Sequence, residues 1–175
     1  MDLKQHIRHV PDFPKPGILF YDISTLLAHA GAWHEALNRL TETLAPYKPD
    51  LLVGIESRGF LVAAPLADRL GTGFIMIRKR GKLPGATMGQ NYTLEYGVDT
   101  IEIHADVLNG AHKVLLIDDL IATGGTALAA VGLLRRTGAV VEHAGFVIDL
   151  FDLGGADKLR ALGVAIESLV PFPGH

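Results

Sequence analysis

The chain has 175 residues, a formal charge of -3 and no cysteine, which excludes disulfides, thiolate nucleophiles and cysteine zinc sites. Hydrophobic residues at 49% and charged residues at 20% exclude disorder as the main state, and the acidic balance argues against broad attraction to nucleic acid. No apolar stretch reaches the ~18 residues of a membrane helix, and the charged start Met1–His6 lacks the apolar block of a signal peptide, so the expectation is a cytoplasmic protein with no membrane or nucleic-acid partner.

A short N-terminal helix is expected before Pro11–Gly17, where three prolines make a turn-rich break. Ile18–Phe20 reads as extended. Trp33, Leu37, Leu40 and Leu44 mark one face of a helix that ends near Pro46. Leu51–Ile55 is a strand-type apolar run, followed by a helix from about Gly59 to Leu70 and a strand at Phe74–Ile77. Residues 78–91, with four basic side chains and three glycines, read as a mobile loop. Tyr92–Tyr96 and Asp99–His104 flank Gly97 as an antiparallel pair. A buried strand at Val114–Ile117 feeds a helix over Gly125–Arg136, closed by Gly138. Val140–Leu150 is strand-rich, Ala156–Leu162 helical, and Val164–Leu169 a last strand. Nothing marks a domain boundary, so a single domain over 1–175 is expected. The alternation predicts an α/β fold with a mostly parallel sheet and helices on both faces. Ligands of such sheets sit beyond the carboxyl ends of the strands, which directs attention to the loops after Ile55, Ile77, Ile117 and Leu150.

The segment that carries chemistry is VLLIDDLIATGGT, residues 114–126. An apolar strand ends in two carboxylates, Asp118 and Asp119, and the loop Ala122-Thr123-Gly124-Gly125-Thr126 opens a helix. Unpaired N–H groups at a helix start favour an anion, glycine lets the main chain come close, and the threonines add hydroxyls. Such a loop can cradle a phosphate monoester without lysine. Two acids beside a phosphate need another partner, either sugar hydroxyls or a magnesium ion. A P-loop is disfavoured because no glycine-rich stretch ends in Gly-Lys-Ser/Thr. The eight histidines form no metal-ligand pair.

With that segment, FPKPGILFYDIS (13–24), GIESRGF (54–60), IRKRGKLPG (77–85), YTLEYG (92–97) and LVPFPGH (169–175), the chain resembles the type I phosphoribosyltransferases, and within them the members that use adenine. The resemblance implies transfer of a phosphoribosyl group from phosphoribosyl pyrophosphate to adenine, giving AMP and pyrophosphate, with magnesium, in a homodimer serving purine salvage. It also implies a small N-terminal hood of about residues 1–25 and a lid loop. The alternatives within reach are a sister enzyme for another purine, and a regulator that only senses the phosphoribosyl ligand. The acidic balance and the absence of an added domain speak against the regulator.

The resemblance also implies roles. Asp118 and Asp119 hold the ribose, directly or through water on magnesium, and residues 122–126 hold its phosphate. Glu56, Ser57 and Arg58 form a pyrophosphate loop, often with a strained or cis peptide between the first two. Arg78, Lys79 and Lys82 are cations for the leaving pyrophosphate, acting in their own subunit or across a dimer. Glu95 in the lid is the acid that meets the adenine ring nitrogen. Phe20 stacks on the base, backbone groups of Leu19 and Tyr21 read its edge, and Ile121 and Leu150 line the opposite wall. Tyr21 is a departure, since many relatives carry arginine there.

Overall fold

The computed structural model describes residues 1–94 and 97–174. The N-terminal helix is one 3-10 turn, Leu3–His6. It leads into β1 (Arg8–Val10), which pairs antiparallel with β2 (Phe20–Asp22). The proline-rich segment closes this ribbon through a cis Phe13–Pro14 peptide and a hydrogen bond from Gly17 N to Asp12 Oδ1 at 2.9 Å. A short helix α1 (Ser24–Ala28), absent from the sequence reading, precedes α2 (Ala30–Leu44). Helix α2 buries Ala32, Ala36, Leu37, Leu40 and Leu44, while Trp33 packs at the margin of that face.

The main sheet contains β3 (Leu51–Ile55), β4 (Gly73–Lys79), β5 (Thr87–Leu94), β6 (Gly97–His104), β7 (Lys113–Ile121), β8 (Val140–Leu150) and β9 (Ala165–Phe172). Their order is β5-β6-β4-β3-β7-β8-β9. Pairings among β4, β3, β7, β8 and β9 are parallel, and the β5–β6 hairpin joins β4 antiparallel. The long apolar runs of β7 and β8 are explained by burial on both faces. One face is covered by α2 and α3 (Arg58–Leu70), which share a core with Leu52, Leu115 and Val147. The other is covered by α4 (Gly125–Arg136) and α5 (Gly155–Ala161), whose Val131 and Leu159 meet Val53, Leu116 and Phe146.

Several boundaries differ from the sequence reading: β7 runs on from the expected end at Ile117 to Ile121, so Asp118 and Asp119 lie within the strand, and the extended stretch expected at 18–20 is a strand at Phe20–Asp22. The expected loop over 78–91 is strand at both ends: Arg78 and Lys79 pair with Glu102 and Ile101, and residues from Thr87 pair across the hairpin. Gly89, Gln90 and Asn91 hide this strand because one lacks a side chain and the others are polar on a mostly solvated ribbon. The last strand also runs on to Phe172. It tolerates Pro171 because β9 lies at the sheet edge, where a missing donor breaks no ladder on the open side.

Candidate active site

The cleft arises from a mismatch in strand length. Pairing between β3 and β7 stops at Gly54–Ile117, whereas β7 continues against β8 as far as Ile121–Asp149. Asp118 and Asp119 therefore stand beyond the end of β3, where the chain turns at a cis Glu56–Ser57 peptide into α3. A Cβ on Gly59 would lie 2.9 Å from Asp118 Oδ1 and 3.1 Å from the Ile117 carbonyl, so only glycine lets the first turn of α3 approach the acids. The space has two compartments. One of about 770 Å³ is lined by Glu56, Ser57, Arg58, Arg78, Lys79 and Lys82 together with both acids. The other, about 300 Å³, is lined by Ile121, Ala122, Thr123, Gly124 and Gly125. Asp118 and Thr126 border both.

The larger compartment neutralises its own charges. Arg58 Nε donates to Asp119 Oδ2 at 2.6 Å, and Arg78 Nε to Glu56 Oε1 at 2.6 Å. Lys79 Nζ lies 3.9 Å from Asp99 Oδ2. Burial disfavours the Arg58 charge, but Asp119, then Asp118 and Asp22, outweigh it and raise its pKa. Asp118 keeps an opening to solvent yet lies deep among protein atoms. Burial, followed by the adjacent Asp119 charge, pushes its carboxyl well above the usual carboxylate range. Asp118 Oδ1 accepts from Asp119 N at 2.8 Å, which fixes the carboxylate at the mouth of the cleft.

In the smaller compartment the loop of residues 122–126 carries no charged side chain, and Asp118 stands at its border. Gly124 has φ +87°, and a Cβ there would sit 2.8 Å from Gly155 Cα. Leu128 N donates to the Gly124 carbonyl at 2.8 Å as the first helical bond of α4, so the N–H groups of residues 125–127 have no partner within the helix. The loop is buttressed from behind: Gly155 N donates to the Ala122 carbonyl at 3.0 Å, and Lys158 Nζ to the Thr123 carbonyl at 3.2 Å. Lysine thus holds the loop from the side away from an anion.

Leu19, Phe20, Tyr21 and Leu150 line neither compartment. Phe20 is half-buried, and the Arg58 guanidinium lies over its ring at 5.6 Å, which ties the hood to the acid pair. The Tyr21 side chain turns inward. It is 5% exposed, stacks on Phe172 at 4.3 Å and donates its hydroxyl to the Pro173 carbonyl at 2.9 Å. Tyrosine here binds the hood to the C-terminal segment. Leu150 is buried in the core beside α2 and α3. Glu95 falls outside the described residues. Sequence reading did not single out Tyr92, Asp99 and Leu120, which line the larger compartment, or Gly155 behind the loop. Pairing of Tyr92 with Asp99 across the hairpin was the available signal for the first two.

A family model described as phosphoribosyl transferase domain matches residues 21–153. A curated relative from Rhodospirillum centenum, named adenine phosphoribosyltransferase, is 62% identical over 172 residues, covering 98% of this chain and 99% of its own. The chain belongs to the phosphoribosyltransferase family. Within this family, the crystal structure of adenine phosphoribosyltransferase from Thermoanaerobacter pseudethanolicus superposes with a TM-score of 0.93 at 45% identity, covering 97% of this chain and 98% of that one. The Saccharomyces cerevisiae enzyme, crystallised with adenine and an imino-altritol bisphosphate, gives 0.88 at 37% identity over 95% and 96% of the two chains.

The donor set suits the magnesium implied for a phosphoribosyltransferase. Among the described residues no three acidic or imidazole side chains converge as a metal cage. Asp118 and Asp119 are instead two adjacent oxygen donors, Asp118 at the border of both compartments and Asp119 beside it in the larger one. Magnesium is commonly held in this way, by one or two carboxylates, several waters and the oxygens of a phosphorylated substrate.

Proposed function

We propose that the chain transfers the 5-phosphoribosyl group of phosphoribosyl pyrophosphate to adenine, releasing AMP and pyrophosphate, and so serves purine salvage in the cytoplasm. One observation carries the reading: an amide cradle and a wall of cations meet at Asp118, with Asp119 beside it on the cationic side. That order matches a ligand with a monoester at one end, a pentose in the middle and a pyrophosphate at the other. The N–H groups of residues 125–127 and the hydroxyls of Thr123 and Thr126 take the 5-phosphate. Asp118 and Asp119 accept hydrogen bonds from the ribose hydroxyls. Arg58, Arg78, Lys79 and Lys82, with backbone groups of Glu56 and Ser57, take the pyrophosphate.

The bond between the anomeric carbon and pyrophosphate oxygen breaks as adenine N9 forms its bond to that carbon, the displaced electron pair leaves on pyrophosphate, and the ring proton that adenine gives up passes to solvent. The ribose gains positive character in between. Asp118 and Asp119 stand beside that sugar, where acidic oxygens favour cation-like character as it develops. The chain supplies position and electrostatics, and no enzyme nucleophile is needed. Asp118 and Asp119 would hold magnesium through water, and magnesium bound with the substrate supplies further neutralisation of the departing oxygens. Phe20 stacks on adenine once Arg58 turns to the pyrophosphate, and the backbone of Leu19 and Tyr21, with the Ile121 side chain, frames the base. Glu95 is the proposed acid facing the base. Two chains form a homodimer through the α3–β4 side, where Leu61 is 48% and Met76 38% exposed beside the edge-to-face pair Phe60–Phe74.

The test is incubation with phosphoribosyl pyrophosphate and each of adenine, hypoxanthine and xanthine, with and without magnesium. AMP from adenine in the presence of magnesium is expected. No nucleotide, or product only from an oxopurine, overturns the reading.

A further inference from the structure

Asp99 is a carboxylate on the wrong side of the cavity. It lines the compartment of Arg58, Arg78, Lys79 and Lys82, where Asp119 pairs with Arg58, Glu56 with Arg78, and Asp99 stands beside Lys79. Its position is held from two directions. Tyr92 lies directly opposite on β5, and its hydroxyl donates to Asp99 Oδ2 at 3.2 Å. Lys79 Nζ stands 3.9 Å from the same oxygen, and Asp99 Oδ1 accepts from Thr100 N at 2.8 Å. Tyr92 also borders both compartments. Burial, then the Asp99 charge, raises the Tyr92 pKa, so the phenol remains a donor at neutral pH.

We propose that Asp99 sets the affinity for pyrophosphate: it occupies Lys79 in the free enzyme, so the polyanion must displace a resident carboxylate to reach that cation. Tyr92 is the positioning residue that tempers this competition, because its hydroxyl carries part of the Asp99 charge. The arrangement weakens product binding at the leaving-group end and leaves the monoester end alone. The inference rests on pyrophosphate being the ligand of the cationic wall.

Calorimetric titration of the full chain with pyrophosphate, and separately with ribose 5-phosphate, tests both. Asp99→Asn keeps the shape and the acceptor oxygen and removes the charge. It tightens pyrophosphate about five- to tenfold and leaves ribose 5-phosphate within about twofold. Tyr92→Phe strips the donor from Asp99 and weakens pyrophosphate about two- to fivefold, and in the Asp99→Asn background it has no such effect. Opposite signs from two neighbours, confined to one ligand, are not produced by general loosening of the hairpin. Asp99→Ser, with the same expected sign, replaces Asp99→Asn if thermal unfolding shows that variant to be misfolded. Unchanged or weaker pyrophosphate binding on loss of the Asp99 charge, or equal shifts for both ligands, overturns the inference. A wild-type chain that binds ribose 5-phosphate but not pyrophosphate overturns the assignment of the cationic wall itself.

Discussion

Replacing Gly155 by alanine isolates the buttress behind the phosphate cradle. An added Cβ would stand 2.5 Å from the Ala122 carbonyl oxygen, 2.8 Å from Gly124 N and 2.9 Å from Ile121 Cγ1. Two of these neighbours are backbone and cannot rotate away. Gly155 does not have a positive φ, so the penalty is steric alone. Overpacking of this kind costs about 1–3 kcal/mol, and in a chain of this size the melting temperature falls by roughly 2–12 °C. Relief requires α5 and the loop to separate, which also strains the 3.0 Å bond from Gly155 N to the Ala122 carbonyl. A displacement of about 1 Å in a positioning element can cost about a hundredfold in rate. We therefore expect ribose 5-phosphate affinity to drop by about tenfold or more, read by calorimetry beside thermal unfolding. Gly154→Ala is the control. Its φ is +79° but nothing lies within 4 Å of an added Cβ, so it carries about 1–2 kcal/mol of backbone strain and leaves binding intact. If Gly155→Ala binds ribose 5-phosphate like the wild type, or the two variants lose affinity equally, the buttress does not position the cradle.

Two further substitutions probe the acids and the hood. The raised pKa of Asp118 means that the folded chain holds its proton to higher pH than the unfolded chain does. Stability attributable to this group falls as pH rises from the unfolded value of about 3.9 through the raised folded value. Asp118→Asn keeps an acceptor for Asp119 N, so it raises the melting temperature at pH 7, with a gain that shrinks toward pH 4, while turnover collapses. A lower melting temperature at pH 7, or wild-type kinetics, contradicts this. Tyr21→Phe removes the hydroxyl that reaches Pro173 but keeps the ring stacked on Phe172. It should cost about 1 kcal/mol in chemical denaturation with kcat unchanged, and a loss of adenine affinity without loss of stability would mean that the hydroxyl serves the base instead.

The acid pair and its loop were legible because every part of them is contiguous: strand, carboxylates and helix start follow one another within residues 114–126. The parallel sheet was legible for a similar reason, since burial on both faces writes unbroken apolar runs. What stayed hidden depends on distant segments meeting. Gly155 looks like an ordinary turn glycine until it is seen packed against Gly124. Tyr21 is visible as a departure from arginine, yet its role depends on Phe172 and Pro173 at the other end of the chain. Arg78 and Lys79 read as loop cations because strand β5, their indirect support, is polar along most of its length. Asp99 is marked only by its place opposite Tyr92 in the hairpin, and its meaning comes from the lysine beside it.

Among the described residues, the β5–β6 hairpin pairs with the rest of the sheet at Arg78–Glu102 and Lys79–Ile101. Its outer strand is moored to α4 by Arg136, whose Nη1 donates to the Gly89 carbonyl at 2.6 Å. Ile101 and Ile103 are buried in the core that α4 also enters, so the arm has two seats, one on the helix and one on the end of β4. A tilt of the arm on the helix is passed through the paired main chain to Arg78 and Lys79, the residues proposed to meet pyrophosphate.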